Sequence, residues 1–387
     1  MQATAAAPLT GAAASATSGA SIYQRLGMRP VINGVGVVTV LGGSIMPPEV
    51  IQAMVDASKH FIPLPELGKK AGARIAELIG VPAAMITCGA ASAITVATAT
   101  CIARGDAQKL ALLPDTTGMK NEIVQQKSHR SGYEQQMLLT GARIVWVETR
   151  EELDRAINER TAMMFFLNKA EPDGKIRREE WIQVGKQREV VTFNDAASDA
   201  TPPANLSAYV QQGFDLVAFS GGKALLGPQS TGLLLGRKDL IDVAQPSMSP
   251  FAGIGRGMKV GKEETMGLLA AVERYVRVDH EAEMRELENR IAYMMEALAG
   301  IKALTAARLV PPIANHVPHL QLDWDEEKLK PTGAEVVRQL MEGEPPIHIQ
   351  NPGPGKLLIS VWMMKPGEHR VVARRLSEIF HAERYHG

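Results

Sequence analysis

Short apolar segments that alternate with amphipathic ones constrain the fold of this chain more than any other feature. Residues 142–149, 161–168, 189–196 and 214–222 are apolar, rich in β-branched or aromatic side chains, and have the length of buried strands. Amphipathic stretches such as 150–159 lie between most of them. Strands that alternate with helices indicate a mostly parallel sheet covered on both faces. The sequence therefore predicts an α/β fold.

The length and the order of these patterns predict two domains. The chain has 387 residues, which is more than one hydrophobic core usually takes. We expect a large domain over residues 21–265, to which residues 21–60 contribute as an N-terminal arm, and a connecting helix over 266–300. Mixed strand and helix patterns over 301–387 predict a small α+β domain. Residues 1–20 are mostly Ala, Ser, Thr and Gly, and we expect a disordered tail there.

Composition argues against several classes of partner. Lysine plus arginine and aspartate plus glutamate number 42 each, so net charge gives no electrostatic footprint for nucleic acid or for a membrane surface. No window has 18 consecutive apolar residues, so we expect no transmembrane helix. The only cysteines, Cys88 and Cys101, suggest neither a disulfide framework nor a metal site. A reduced, cytoplasmic protein is the expectation.

The first candidate for chemistry is the turn in "ITCGAASAI", residues 86–94, where a predicted strand breaks at Gly89 into a helix of small residues. Parallel α/β sheets bind ligands at the carboxyl ends of their strands. A helix start presents free N–H groups and a positive dipole end, which suit a phosphate, and Ser92 adds a hydroxyl. Close packing of small residues is the alternative interpretation.

Two more predicted strand ends carry ionisable side chains. Asp195 closes the apolar strand of "VTFNDAASD", where a carboxylate is costly unless a cation or donors meet it. A helix cap or a turn aspartate is the alternative. Lys223 follows Ser220 and two glycines, of which Gly222 permits close approach of a flat ligand. Taken alone, an isolated lysine of this kind is typical of a solvated loop.

The three features together favour one cofactor, pyridoxal 5′-phosphate (PLP). A phosphate cradle, a buried acid and a lysine occur in that order along an α/β chain, and PLP requires all three. The lysine forms a Schiff base with the cofactor. The acid keeps the pyridine nitrogen protonated, so that the ring can act as an electron sink. No metal site is predicted.

Residues 32–54, 195–203 and 219–241 resemble the selenocysteine synthase-like group of fold-type I PLP enzymes, and within it the D-glucosaminate-6-phosphate ammonia-lyase branch. The resemblance covers roughly residues 21–387, and the segment Ser-Gly-Gly-Lys…Gly-Pro-Gln is its most specific part. It implies an aspartate aminotransferase-like large domain and a small C-terminal domain. It also implies a homodimer or larger assembly, with active sites at the subunit interface.

The same resemblance implies roles for individual residues. Lys223 and Asp195 are expected to be catalytic, the first as the Schiff-base lysine and the second on the pyridine nitrogen. The expected cofactor contacts further include backbone and hydroxyl groups of the helix start and of the loops around the lysine: Gly89, Ala90, Ala91, Ser92, Ser198, Ser220 and Gly222. His129 lies where this fold type often places a ring-stacking residue, although a surface histidine is an equal alternative.

Substrate-binding residues are harder to predict. Arg130, Arg256 and Lys259 are candidates for binding a substrate anion, with solvated basic loops as the alternative. Enzymes of this fold often use an arginine of the small domain to bind the substrate carboxylate. In the corresponding stretch "LISVWMMKPGEHR", Trp362, Met363 and Met364 stand where we would look for that arginine.

The expected reaction is the α,β-elimination of a β-hydroxy or sugar amino acid to a 2-oxo acid and ammonia, with Lys223 as the base. The selenium transferase must bind a large tRNA, whereas this chain has no basic residue before Arg25 and no net charge for RNA. We therefore expect a small-molecule amino-acid substrate and no nucleic-acid or membrane partner. β-Replacement, racemisation, aldol cleavage, transamination and a non-catalytic PLP-fold protein remain alternatives.

Overall fold

The computed structural model describes residues 21–382, so the tail predicted over residues 1–20 lies outside the described residues. In chain order the strands are β1 (Ile32–Asn33), β2 (Ala83–Thr87), β3 (Glu122–Gln126), β4 (Arg143–Val147), β5 (Thr161–Leu167), β6 (Val191–Asp195), β7 (Leu216–Ser220), β8 (Gly232–Gly236), β9 (Leu304–Leu309), β10 (His319–Trp324), β11 (Ile347–His348), β12 (Gln350–Gly353) and β13 (Lys356–Ser360).

The α-helices alternate with these strands through most of the chain. They are α1 (Pro48–Ser58), α2 (Leu64–Ile79), α3 (Gly89–Ala103), α4 (Ala107–Leu112), α5 (Gln135–Leu138), α6 (Arg150–Ala156), α7 (Arg178–Arg188), α8 (Asn205–Gln212), α9 (Lys238–Ala244), α10 (Lys262–Tyr275), α11 (His280–Leu298), α12 (Gly333–Glu342) and α13 (Glu368–Ala382). None of the helices in this described part is long and apolar enough to cross a membrane.

A seven-stranded sheet in the order β2-β8-β7-β6-β5-β3-β4 forms the centre of the large domain. All neighbours are parallel except β8, which runs antiparallel to β2 and β7. The predicted α/β class and the fold-type I architecture are confirmed. The four strands predicted from their apolar segments are β4 to β7.

Both faces of this sheet are buried, as the parallel arrangement requires. Adjacent side chains of a strand point to opposite faces. Phe165 and Phe166 of β5 accordingly belong to different hydrophobic cores, one on each side of the sheet. Helix α3 is built from small and β-branched residues and is almost wholly buried. Its small side chains let it pack closely against the sheet and bring its first turn to the sheet edge.

A second sheet, antiparallel in the order β12-β13-β10-β9, packs against α11, α12 and α13 around a separate core. Ile32 of β1 pairs with Ile347 and belongs to this core, whereas α1 lies against α10. The N-terminal arm is therefore shared between the two sheets. The single connecting helix predicted over 266–300 is instead two helices, α10 and α11, because Asp279 caps a new helix by accepting a hydrogen bond from Ala282 N (2.9 Å).

Candidate active site

Three neighbouring parallel strands end side by side at one edge of the large sheet. Leu167 of β5 is paired with Asp195 of β6, and Asp195 is paired with Ala218 of β7, so the residues just beyond these strands converge. They surround a cavity of about 310 Å³. Its lining residues are Thr39, Gly89, Ala90, Ala91, Ile94, Tyr133, Leu167, Lys169, Asp195, Ala197, Ser198, Asp199, Ser220, Lys223 and Gln229.

Lys223 projects into this cavity from a compact loop. Its Nζ donates a hydrogen bond to Ser198 Oγ at 2.6 Å. Gly221 fixes the loop by donating to Thr231 O (2.8 Å), and a Cβ on Gly221 would lie 2.2 Å from Thr231 Oγ1. The Ser-Gly-Gly sequence therefore lets the backbone pass close to β8 while the lysine turns toward the cavity. Burial lowers the pKa of Lys223, and the nearby charge of Asp195 opposes this effect.

Asp195 lies at the base of the cavity and is only 5% exposed. Burial raises its pKa from 3.8 to about 6, against the effects of the hydrogen bond from Ala197 N (3.1 Å) and the positive charge of Lys223. A second carboxylate, Asp199, accepts a hydrogen bond from Ala314 N (2.7 Å) and has its pKa raised by burial. A buried acid with a raised pKa is stabilised as a carboxylate when a cationic ring nitrogen faces it.

The start of α3 forms the third wall of the cavity. Gly89 has φ +78°, a conformation that favours glycine, and no side chain caps the helix N-terminus. The N–H groups of its first turn, at Gly89, Ala90 and Ala91, therefore border the cavity and are not occupied by a capping side chain. Gly232 of β8 lies directly beneath, since a Cβ there would be 2.5 Å from the carbonyl carbon of Gly89.

These groups fit PLP in their chemistry. An uncapped helix start can hold the phosphate, a buried carboxylate can face the pyridine nitrogen, and a lysine with a lowered pKa can supply the amine. The three predicted parts of the site, with Ser198 and Ser220, are brought together around one cavity.

Two of the expected cofactor residues lie just outside the cavity lining. Ser92 is buried, and its Oγ lies 3.9 Å from Met248 Sδ. Gly222 packs against Gln229, where a Cβ would be 2.5 Å from the Gln229 Cα. Both residues serve close packing of the segments that carry the site.

The structure does not bring His129 to the cavity. It is fully buried, its Nδ1 accepts a hydrogen bond from Leu167 N (3.1 Å), and its ring lies edge-on to Phe166. Burial lowers its pKa to about 4. Tyr133, four residues later, lines the cavity instead, and no signal in the sequence had distinguished it.

Glu134 fixes the turn that presents Tyr133. Its carboxylate accepts hydrogen bonds from Ser131 N (2.8 Å), Gly132 N (2.6 Å) and Gln125 Nε2 (3.0 Å). A carboxylate that collects three donors is a strong local constraint on the backbone. The turn is therefore held in place from within the domain.

None of the three predicted anion-binding residues lines the cavity. The guanidinium of Arg130 lies over the Trp146 ring at 4.5 Å, and Arg256 donates to Ser249 Oγ (3.2 Å). Lys259 is exposed in the same loop as Arg256. The cavity instead contains Lys169, which follows directly on the strand predicted over 161–168. Its position at a strand end was the signal that could have identified it.

The three small-domain residues that replace the expected arginine line a different cavity of about 690 Å³. Trp362, Met363 and Met364 face Tyr275 there, and this cavity shares no lining residue with the one at Lys223. Arg290 also lines it, but its Nη1 donates to Met364 O (2.7 Å). Arg290 is therefore occupied within the small domain, and Arg370, the last residue of the stretch, lies over the Tyr293 ring at 4.5 Å.

A lysine, a buried acid and a helix start at the carboxyl edge of this sheet define the class of fold-type I PLP-dependent enzymes. The model of the aminotransferase class-V family matches residues 44–260, and the chain belongs to this family. The prediction of PLP as the cofactor is confirmed by membership of this family.

Two curated relatives that match over more than 90% of the chain are 31% identical to it. One is D-glucosaminate-6-phosphate ammonia lyase of Salmonella typhimurium, matched over 93% of this chain and 98% of that protein. The other is 5'-C-glycyluridine monooxygenase-decarboxylase of a Streptomyces species, over 92% and 91%. A solved structure of D-glucosaminate-6-phosphate ammonia-lyase superposes with a TM-score of 0.81 at 30% identity, covering 94% of this chain and 99% of that one. The predicted resemblance to the ammonia-lyase branch is confirmed.

Proposed function

We propose that the protein is a PLP-dependent lyase that removes a leaving group from the β-carbon of an amino acid and releases a 2-oxo acid and ammonia. The observation that carries the proposal is the hydrogen bond of Lys223 to Ser198 beside the buried Asp195, in one cavity with the start of α3. An overall match to an ammonia lyase over nearly its whole length supports elimination as the reaction.

Bound PLP supplies an electron sink that stabilises the charge left when a bond at the α-carbon breaks. The residues around it bind the cofactor and transfer the α-proton. Asp195 would hold the proton of the pyridine nitrogen in place, and the N–H groups at Gly89 to Ala91 together with Ser220 would bind the phosphate. Lys223 has its pKa lowered by burial, so its neutral amine is available to accept the α-proton of a bound amino acid. Ser198 orients that amine.

A substrate screen tests the reaction. Purified holoenzyme is incubated with β-hydroxy amino acids and sugar amino acids, and 2-oxo acid and ammonia are measured together. We expect equal amounts of both from at least one compound, and neither from Lys223→Ala. Exchange of the α-proton without release of ammonia would replace the lyase by a racemase, and formation of glycine with an aldehyde would replace it by an aldolase.

A second candidate reaction rests on the Streptomyces relative, which is equally identical to the chain and is named a monooxygenase-decarboxylase. The two reactions differ in what they consume and release. Oxygen uptake and carbon dioxide release are therefore measured in the same screen. Their appearance without ammonia would favour oxidative decarboxylation over elimination.

We also infer a homodimer or larger assembly whose subunits meet beside the cavity. Thr39 lines the cavity, and the side chain of the adjacent Val40 is 90% exposed. Other apolar side chains in this part of the chain are exposed as well, Leu26 by 74% and Phe61 fully. Several large apolar side chains exposed in one part of the chain favour an interface there. Sedimentation equilibrium should give a multiple of the 41.8 kDa subunit mass, and a fully active monomer would contradict the inference.

A cytoplasmic location is supported by the chain's two cysteines, Cys88 and Cys101, which are both free thiols. Cell fractionation with an antibody or tag tests this directly. Recovery of the protein in an oxidising compartment would contradict it.

A further inference from the structure

Lys169 lines the cavity but is not one of the residues expected to bind the cofactor. It is the second residue after β5, whose last residue, Leu167, is paired with Asp195. The intervening Asn168 points inward, donating to Tyr209 Oη (3.0 Å) and accepting from Asn194 Nδ2 (3.2 Å). Because Asn168 is anchored in the domain, the next side chain is directed to the cavity.

The ammonium of Lys169 is not neutralised by the protein. Arg178, which packs beside the same turn, pairs with Glu171 at 2.8 Å. Over residues 21–382, by contrast, Lys169 has no hydrogen-bond or ion-pair partner, and it is exposed to the cavity. Its positive charge acts on Lys223 and on Asp195, lowering the pKa of each. A cation that faces a cavity beside the reacting lysine is placed to meet an anion.

The cofactor phosphate is an unsuitable partner for this cation because of the strand order. Gly89 lies over Gly232 of β8, and between β8 and β5 come β7 and β6. At about 4.8 Å per strand, the phosphate cradle and the base of Lys169 are roughly 14 Å apart across the sheet. Asp195 lies between them. Lys169 therefore stands on the side of the site away from the helix start.

Within the described chain, the other candidate cations are placed elsewhere. Arg130, Arg256 and Lys259 are outside the cavity, and Arg290 is bound to a main-chain carbonyl in the second cavity. An amino-acid substrate carries an α-carboxylate next to the bond that breaks, so a site without a positive charge near Lys223 would leave that carboxylate unpaired.

We propose that Lys169 binds the carboxylate of the amino-acid substrate, in the role that an arginine of the small domain would otherwise fill. The inference rests on the proposed function in that it assumes an amino-acid substrate, but not on which bond is broken. Lys169 is a specificity-determining residue in this account, since it distinguishes an amino acid from the amine that lacks its carboxylate.

The test compares two probes that differ in the carboxylate alone, racemic serine and ethanolamine. Each is mixed with the holoenzyme in a stopped-flow instrument, and the initial change in the visible absorbance of the cofactor is followed, so that binding is read before turnover. Wild-type protein should bind serine about 10- to 100-fold more tightly, the range expected for a charge-assisted hydrogen bond. In Lys169→Gln the preference should disappear, and in Lys169→Arg part of it should return. Lys175→Gln removes an exposed lysine of the same segment outside the cavity and should keep the full preference.

Three results would overturn the proposal. Wild-type protein without a preference for serine, including protein that binds neither probe, would show that the cavity does not recognise a carboxylate. A preference that survives in Lys169→Gln would assign recognition to another residue. A Lys169→Gln protein that loses PLP on dialysis would make the lysine a cofactor ligand. If the preference behaves as expected and the screen yields no ammonia, the carboxylate site stands and elimination alone fails.

Discussion

Replacing Asp195 by asparagine should stabilise the cofactor-free protein at neutral and higher pH while weakening its hold on PLP. Burial raises the pKa of this carboxyl from 3.8 to about 6. The folded chain therefore retains the proton more strongly than the unfolded chain does. Stability that depends on this proton is fully present below the unfolded-state pKa and is lost as the pH rises through about 6. The difference between the two pKa values corresponds to about 3 kcal/mol of unfolding free energy near pH 8, falling to about 0.6 kcal/mol near pH 4.

The asparagine side chain in Asp195→Asn would carry no charge, and its oxygen can still accept the hydrogen bond from Ala197 N (3.1 Å in the native protein). Urea unfolding of the cofactor-free Asp195→Asn protein should therefore show a gain of up to about 3 kcal/mol near pH 8 and little gain near pH 4. Asp173→Asn, on the exposed turn after β5, serves as the control and should change stability by less than about 0.5 kcal/mol. A loss of stability in Asp195→Asn near pH 8, or a gain of the same size at both pH values, would show that the buried charge of Asp195 does not lower the stability of the cofactor-free protein.

Two further substitutions test other parts of the site. Ser198→Ala removes the acceptor of the 2.6 Å hydrogen bond from Lys223 and should lower kcat by about 10- to 100-fold with the cofactor retained. Steady-state kinetics measures this change. An unchanged kcat would show that the hydroxyl does not orient the amine. Gly232→Ala places a Cβ 2.5 Å from the carbonyl carbon of Gly89, so it should displace the start of α3 and weaken PLP binding by at least about tenfold in equilibrium dialysis. Gly68→Ala is its control. A Cβ at Gly68, in the second turn of α2, would meet nothing within 4 Å, so the affinity for PLP should be unchanged.

The strands most readily predicted from the sequence were those with a strong local pattern. The segments around β4 to β7 are apolar and bounded by amphipathic helices, which is typical of buried parallel strands. β3 was not predicted, because "EIVQQ" is polar in composition although every residue in it is buried. Its buried glutamine Gln126 forms hydrogen bonds to Ile176, a pairing 50 residues away in the chain that no local pattern reveals.

The residues of the site also divide into those that a local sequence pattern predicts and those that it does not. Lys223, Asp195 and Gly89 could be predicted because each lies at the end of a recognisable strand, where this class of sheet binds its ligands. His129 could not be separated from Tyr133 by sequence, because which of them faces the cavity depends on the turn that Glu134 holds. Lys169 was not predicted, because the resemblance places the substrate cation in the small domain and not in the turn after β5.

Covalent attachment of the cofactor to Lys223 is measured most directly by reducing the holoenzyme with borohydride and mapping its peptides by mass spectrometry. We expect a single pyridoxyl-modified peptide, modified at Lys223, and no modified peptide from Lys223→Ala. Modification of Lys169, which lines the same cavity, or the absence of any modified peptide from protein saturated with PLP, would contradict it.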